Sequence, residues 1–225
     1  MRKSMMLFLS LLLLGQTTLA SADAYTEFAS RPTGENAFAY LHQVATHPRC
    51  ANCHGVVGES GHIPTVGDLR VAHPMHISSR NNIVLKAAEH GFEQLQVAGM
   101  TCRNCHRDNN GREQGMPPGA ANREMPGFVW HMPPPTMAIP PDLSAAELCQ
   151  RWLDPARNSS HLSQRGGRKD LRTFRAEFLD HHAKVDPLVL WAWQPGLGRT
   201  PAPGSHTEFV RAMDIWISAD APCPK

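Results

Sequence analysis

Beyond its first 24 residues the chain has no apolar run long enough to cross a bilayer, where about 20 residues are needed. It has no excess of charge either. The opening stretch "MRKSMMLFLSLLLLGQTTLASADA" joins a basic start, Arg2 and Lys3, to an apolar core and small residues that fit A-x-A cleavage. We read residues 1–22 as a secretory signal cut within 20–24, and 23–225 as the mature chain. With Arg2 and Lys3 gone, 20 basic side chains stand against 20 acidic ones. That balance argues against a nucleic-acid binder, which needs a basic face to displace phosphate counterions. Sustained strand alternation is missing, and so is any βαβ pattern, which weakens the case for a thioredoxin-like dithiol. The mature protein is expected to be exported, periplasmic and without a transmembrane segment.

The cysteines carry the strongest signal. Six survive cleavage: Cys50, Cys53, Cys102, Cys105, Cys149 and Cys223. Free thiols oxidise outside the cytoplasm, so each needs a reason to be there. "CANCH" at 50–54 returns as "CRNCH" at 102–106. A four-thiolate zinc site would space its two pairs by roughly 15–20 residues. Here 48 residues separate Cys53 from Cys102. Zinc also leaves unexplained why a histidine follows each pair. C-x-x-C-H is the attachment pattern of c-type haem. Cys50 and Cys53, and again Cys102 and Cys105, would form thioethers with the porphyrin vinyl groups. His54 and His106 would then stand beneath the iron as proximal ligands. Two haem c groups are the expected cofactors. Cys149 and Cys223 remain, and an even remainder in an oxidising compartment predicts a disulfide tying the C-terminus to the body.

Periodicity predicts an all-α body with long Pro/Gly-rich loops; with the two haem motifs, the expected fold is cytochrome c-like helices whose loops wrap around the two covalently attached haems. "TGENAFAYLHQVATHP" has Ala37, Phe38, Leu41, Val44 and Ala45 at helical spacing and runs into the first motif. A helix is expected over Asn81–Phe92, begun by Ser78 or Ser79. "SAAELCQRWLDP" and "SHTEFVRAMDIWI" start with capping boxes, Ser144 with Glu147 and Ser205 with Glu208. "DLRTFRAEFLDHH" sets Leu171, Phe174 and Phe178 on one side. Segments 112–142 and 194–205 are rich in proline and glycine and read as loops. The flanks of the two motifs do not match each other, so two haems in one shared domain are expected rather than a duplicated cytochrome.

The occupant of the second axial position separates electron transfer from catalysis. "HPMHIS" offers His73, Met75 and His76 to the first haem, and His76 is preferred because His73 precedes a proline. "WHMPPPTMAIP" offers His131, Met132 and Met137 to the second, with Met137 favoured and His131 its rival. Trp152, Trp191, Trp193 and Trp216 read as core or haem-edge packing, and His181-His182 as partners of helix-terminal carbonyls.

From about His47 to Pro224 the chain resembles a family of small exported dihaem cytochromes of bacteria. The likeness rests on the two C-x-x-C-H motifs, "WHMPPPTMA", "LCQRWLDPARN", "DPLVLWAWQPGLGRTPAPGSHTEF" and a terminal "APCP". The stretch between the motifs is longer here than in that family. Its members are often named as subunits of an isoquinoline 1-oxidoreductase-type molybdenum hydroxylase. The resemblance implies an electron carrier serving a molybdenum/iron–sulfur dehydrogenase rather than an enzyme in its own right. The competing expectation is a dihaem peroxidase with one open iron position.

Overall fold

Thr33 opens the central helix by accepting a hydrogen bond from the Asn36 N–H at 3.2 Å, a cap that satisfies one of the unpaired amides of a helix start. The computed structural model describes residues 23–58, 61–74, 77, 82–87, 91–96, 102–121, 130–158, 161, 164–165 and 168–225. Three helices come first: α1 (Ala24–Ser30), α2 (Gly34–Thr46) and α3 (Pro48–His54). The predicted apolar stripe of α2 is buried, Ala37, Phe38, Leu41 and Val44 completely so. It packs against α7 (His206–Ser218), whose inner face is Phe209, Ala212, Met213 and Trp216. α4 (Ala145–Leu153) closes the same core with Leu148, Cys149 and Trp152.

Both predicted capping boxes are present. Ser144 N–H donates to Glu147 Oε2 at 3.1 Å and Glu147 N–H donates back to Ser144 Oγ at 3.3 Å. Ser205 and Glu208 repeat the exchange at 3.1 and 3.2 Å. The core is aromatic at its centre. The Trp216 ring lies 4.9 Å from Phe38, 5.9 Å from Trp152 and 5.9 Å from Phe174. Its indole N–H donates to the Pro222 carbonyl at 2.9 Å, so this buried polar atom is satisfied. Cys149 and Cys223 are disulfide-bonded with Cα atoms 5.6 Å apart, tying the C-terminal tail to α4.

The all-α expectation needs correcting in detail. The described residues are mostly helical, but they include four antiparallel hairpins: β1 (Val56–Gly58) with β2 (Gly61–Ile63), β3 (Thr65–Val66) with β4 (Val71–Ala72), β5 (Asn82–Ala87) with β6 (Gly91–Gln96), and β7 (Gln164–Arg165) with β8 (Arg168–Lys169). The helix expected over Asn81–Phe92 is instead the β5–β6 hairpin, paired from Asn82↔Gln96 to Ala87↔Gly91. Ile83 and Val84 are β-branched and lose side-chain freedom in a helix, which favours strand pairing. The expected start at Ser78 or Ser79 lies outside the described residues, as do the segment 1–22 expected to be a leader and the favoured His76. Helix α5 (Leu171–Phe174) passes without a break into a π-helical stretch over Arg175–Ala183. Such wide turns are rare and are found most often at functional sites. α6 (Pro187–Trp191) follows, capped by Asp186 and started by a proline whose missing N–H costs nothing there. Among the described residues no helix is long and apolar enough to cross a membrane.

Candidate functional site

Each C-x-x-C-H motif sits in the wall of its own cavity. The first motif is helical because His47 caps α3, its Nδ1 accepting from the Arg49 N–H at 3.3 Å, and Pro48 occupies the first turn. The helix has to stop immediately after His54, and Gly55 stops it. Gly55 has φ +53° and ψ −161°, a region that only glycine occupies cheaply. A Cβ there would lie 2.2 Å from the Ile63 carbonyl oxygen of β2. Gly55→Ala is therefore expected to lower stability by about 2 kcal/mol or more, read as a shift of the urea midpoint. A neutral outcome would mean that the turn after His54 is not constrained.

The turn aims His54. Its Nδ1–H donates to the Met137 carbonyl at 2.7 Å, which leaves Nε2 as the nitrogen bearing a lone pair. Met137 belongs to a single 3₁₀ turn, Pro135–Met137. His62, fully buried, donates from Nε2 to the His54 carbonyl and caps the end of α3. Walls of about 300 Å³ of empty space include Val44, Ile139, Trp152, Phe178 and Phe209 beside Cys50, Cys53 and His54.

The second motif repeats the device on a different frame. Cys102–Asn104 forms one 3₁₀ turn, and the His106 N–H donates to the Cys102 carbonyl at 2.9 Å. His106 Nδ1–H donates to the Pro118 carbonyl at 2.7 Å, again leaving Nε2. The loop approaches closely here: a Cβ on Gly119 would lie 2.1 Å from the Asn109 carbonyl oxygen. Trp130 stacks on the His106 ring at 4.6 Å and 13°. The surrounding space, about 490 Å³, is bounded mainly by loop residues, among them Met116, Pro117, Leu197 and Gly198. Both volumes fall in the range of cofactor sites, roughly 300–1,000 Å³.

The two cavities adjoin. Arg49, Cys53, His131 and Met132 line both. Arg49 is 3% exposed and is paired with Asp68. Its guanidinium lies 5.7 Å from the centre of the Trp191 ring. A buried cation on the wall common to both cavities is a position for an anion.

Burial dominates the electrostatics. It pushes the thiols of Cys50 and Cys53 up to about 12, and raises that of Cys102. Burial thus disfavours the thiolate, the form in which a cysteine acts as a nucleophile. Burial also depresses His54 to about 4, so its imidazole is neutral. His161 is depressed to about 4 for the same first reason, reinforced by His182 and His54. The unfolded chain protonates the His161 imidazole near pH 6.5, while the folded chain refuses the proton until about pH 4. The stability this permits is complete above pH 6.5 and is lost as pH falls toward 4, by up to about 1.4 kcal/mol per pH unit. Urea midpoints at pH 7, 6, 5 and 4 should fall together with pH, and His161→Gln should flatten the slope. An unchanged slope in that variant would contradict this origin.

The sequence-predicted ligands are distributed differently from expectation. Met137, expected with the second motif, lines the first cavity and holds His54 through its carbonyl. His131 is exposed and lies on the wall common to both cavities. The segment expected to cover the first motif sends His73 to the second cavity. Sequence reasoning did not single out His161, which lines the first cavity. Its Nδ1–H donates to Asn158 Oδ1 at 2.8 Å, and the fully buried Asn158 is oriented by its own bond to the Trp152 carbonyl at 3.0 Å. His182 was read as a helix-end residue, but it too lines this cavity, bonded through Nδ1 to Asp186 Oδ2 at 3.0 Å. Burial works against the Asp186 charge, yet that bond and the Leu188 N–H hold its carboxyl below the ordinary range.

Among the described residues no three His, Cys, Asp or Glu side chains converge as a metal shell. No protein-family model, curated protein or solved structure matches the chain.

Proposed function

We propose that the chain is an exported, periplasmic dihaem c-type cytochrome that transfers electrons. The carrying observation is the coincidence of two C-x-x-C-H motifs with two adjoining cavities, each presenting a histidine whose Nδ1–H is tied to a backbone carbonyl. That second bond fixes the tautomer and ring orientation of a metal-binding imidazole. When bound, each haem supplies a one-electron ferric–ferrous couple. Cys50 and Cys53 would hold the first through thioethers and Cys102 and Cys105 the second. Neither thioether carries a proton to lose, so the burial that penalises a thiolate does not oppose it. His54 and His106 would offer Nε2 from below. Arg49, on the wall common to both cavities, would offer its guanidinium to a propionate at the junction. Apolar side chains such as Val44, Ile139 and Phe209 line part of the first chamber, and Trp130 and Trp191 part of the second.

The resemblance of the motifs to the dihaem cytochromes named as isoquinoline 1-oxidoreductase subunits supports a molybdenum/iron–sulfur dehydrogenase as the electron donor. Met116 and Leu197, exposed at the rim of the second cavity, mark the side from which such a partner would be reached.

One observation favours the second reading, a dihaem peroxidase: the His182–Asp186 pair in the first cavity has the arrangement of an acid–base couple. Optical redox titration separates the two. A carrier shows wholly low-spin iron, takes up two electrons reversibly and does not turn over hydrogen peroxide. A high-spin resting fraction with peroxide turnover would overturn the carrier reading in favour of the peroxidase.

A further inference from the structure

We infer that His73 is the second axial ligand of the haem attached at Cys102 and Cys105, opposite His106, so that this iron is held between two imidazoles. The inference rests on the cytochrome reading above and names a ligand that the chain order does not suggest.

Hairpin β3–β4 carries His73 away from the first motif. The His73 N–H donates to the Pro64 carbonyl at 3.3 Å, holding the residue against the start of β3, beside the second cavity. There its ring centre lies 6.1 Å from that of His106, with the planes at 47°. The two rings are not stacked, since their planes are tilted, whereas Trp130 does stack on His106 at 4.6 Å and 13°. Hydrogen bonding between the two rings does not account for their approach either. His73 Nδ1–H donates to the Pro74 carbonyl at 2.7 Å, as His106 Nδ1–H does to Pro118. That leaves Nε2 of each ring as the nitrogen available to a metal. The spacing suits one: with metal–nitrogen bonds of about 2 Å and about 1 Å from each nitrogen to its ring centre, two imidazoles on opposite sides of one metal lie about 6 Å apart.

The rival ligands are less well placed. Met137 lines the first cavity and does not border the second. His131 lies on the wall common to both cavities rather than in the second alone.

The test uses the purified holoprotein and reads iron spin state by low-temperature EPR and near-infrared magnetic circular dichroism, with haem content counted by intact mass. In the wild type, one low-spin iron carries the two-imidazole signature assigned to His73 and His106. In His73→Gly, one of the two irons becomes high-spin, and imidazole in the buffer restores it. His73→Met retains a folded site and replaces the two-imidazole signature with a thioether-to-iron charge-transfer band. In a Cys102→Ser/Cys105→Ser background, which keeps only the first haem, His73→Gly changes nothing. Two haems with unaltered spectra in His73→Gly would overturn the ligand while leaving the cytochrome reading intact. So would an effect that persists in the serine background. A wild-type mass without haem would overturn both.

Discussion

Replacing Cys50 and Cys53 with serine unfolds most of the protein, whereas the same change at Cys102 and Cys105 leaves a folded chain with one haem. The asymmetry follows from what lines each cavity. Val44, Ile139, Trp152, Phe178 and Phe209 border the first cavity, and the buried ones among them belong to the main core. A void of about 300 Å³ left among them costs on the order of 5 kcal/mol, comparable to the whole stability of a typical domain. The second cavity is bounded largely by loops, and its small apolar cluster, Ala120, Trp130 and Trp191, is separate from that core. Those loops can close or admit water without disturbing α2 against α7. Far-ultraviolet circular dichroism and urea unfolding of the two double variants check this. Equal losses would mean that the two chambers share the core equally.

The disulfide is the second large effect. Cys149 and Cys223 are 74 residues apart in the chain, and cross-linking a loop of that length restricts the unfolded state by about 4 kcal/mol. The bond also secures local contacts. Pro222, next to Cys223, accepts the Trp216 indole N–H and packs against Gly34 at the start of α2. Cys149→Ala/Cys223→Ala should therefore lower the melting temperature by roughly 10 °C. If the two haems are retained, the spectrum should not change at room temperature. A shift of only a degree or two would show that the tail is held by its packing alone.

The parts of this fold that could be read from the chain are local. The α2 stripe, both capping boxes and the Pro48 start of α3 depend on residues within a turn or two of one another, so spacing reveals them. The disulfide was legible through parity and compartment rather than geometry. Longer-range features were not legible. Asn82–Gln96 forms a hairpin because of pairing across a turn, which helical periodicity does not weigh. His73 stands beside the second motif because hairpin β3–β4 redirects the chain. His161 enters the first cavity on the strength of a bond to Asn158, and His182 turns inward from a π-helical stretch that no pattern announced. In each case the placement depends on partners that sequence distance conceals.

The central claim is that iron porphyrin is bound covalently at both motifs. Intact-mass spectrometry of the exported protein, produced in a host with cytochrome c maturation, tests it directly. The account predicts the mass of the processed chain plus two haem groups, falling by one haem in Cys102→Ser/Cys105→Ser. A mass equal to the bare processed chain, from a colourless preparation, would contradict it.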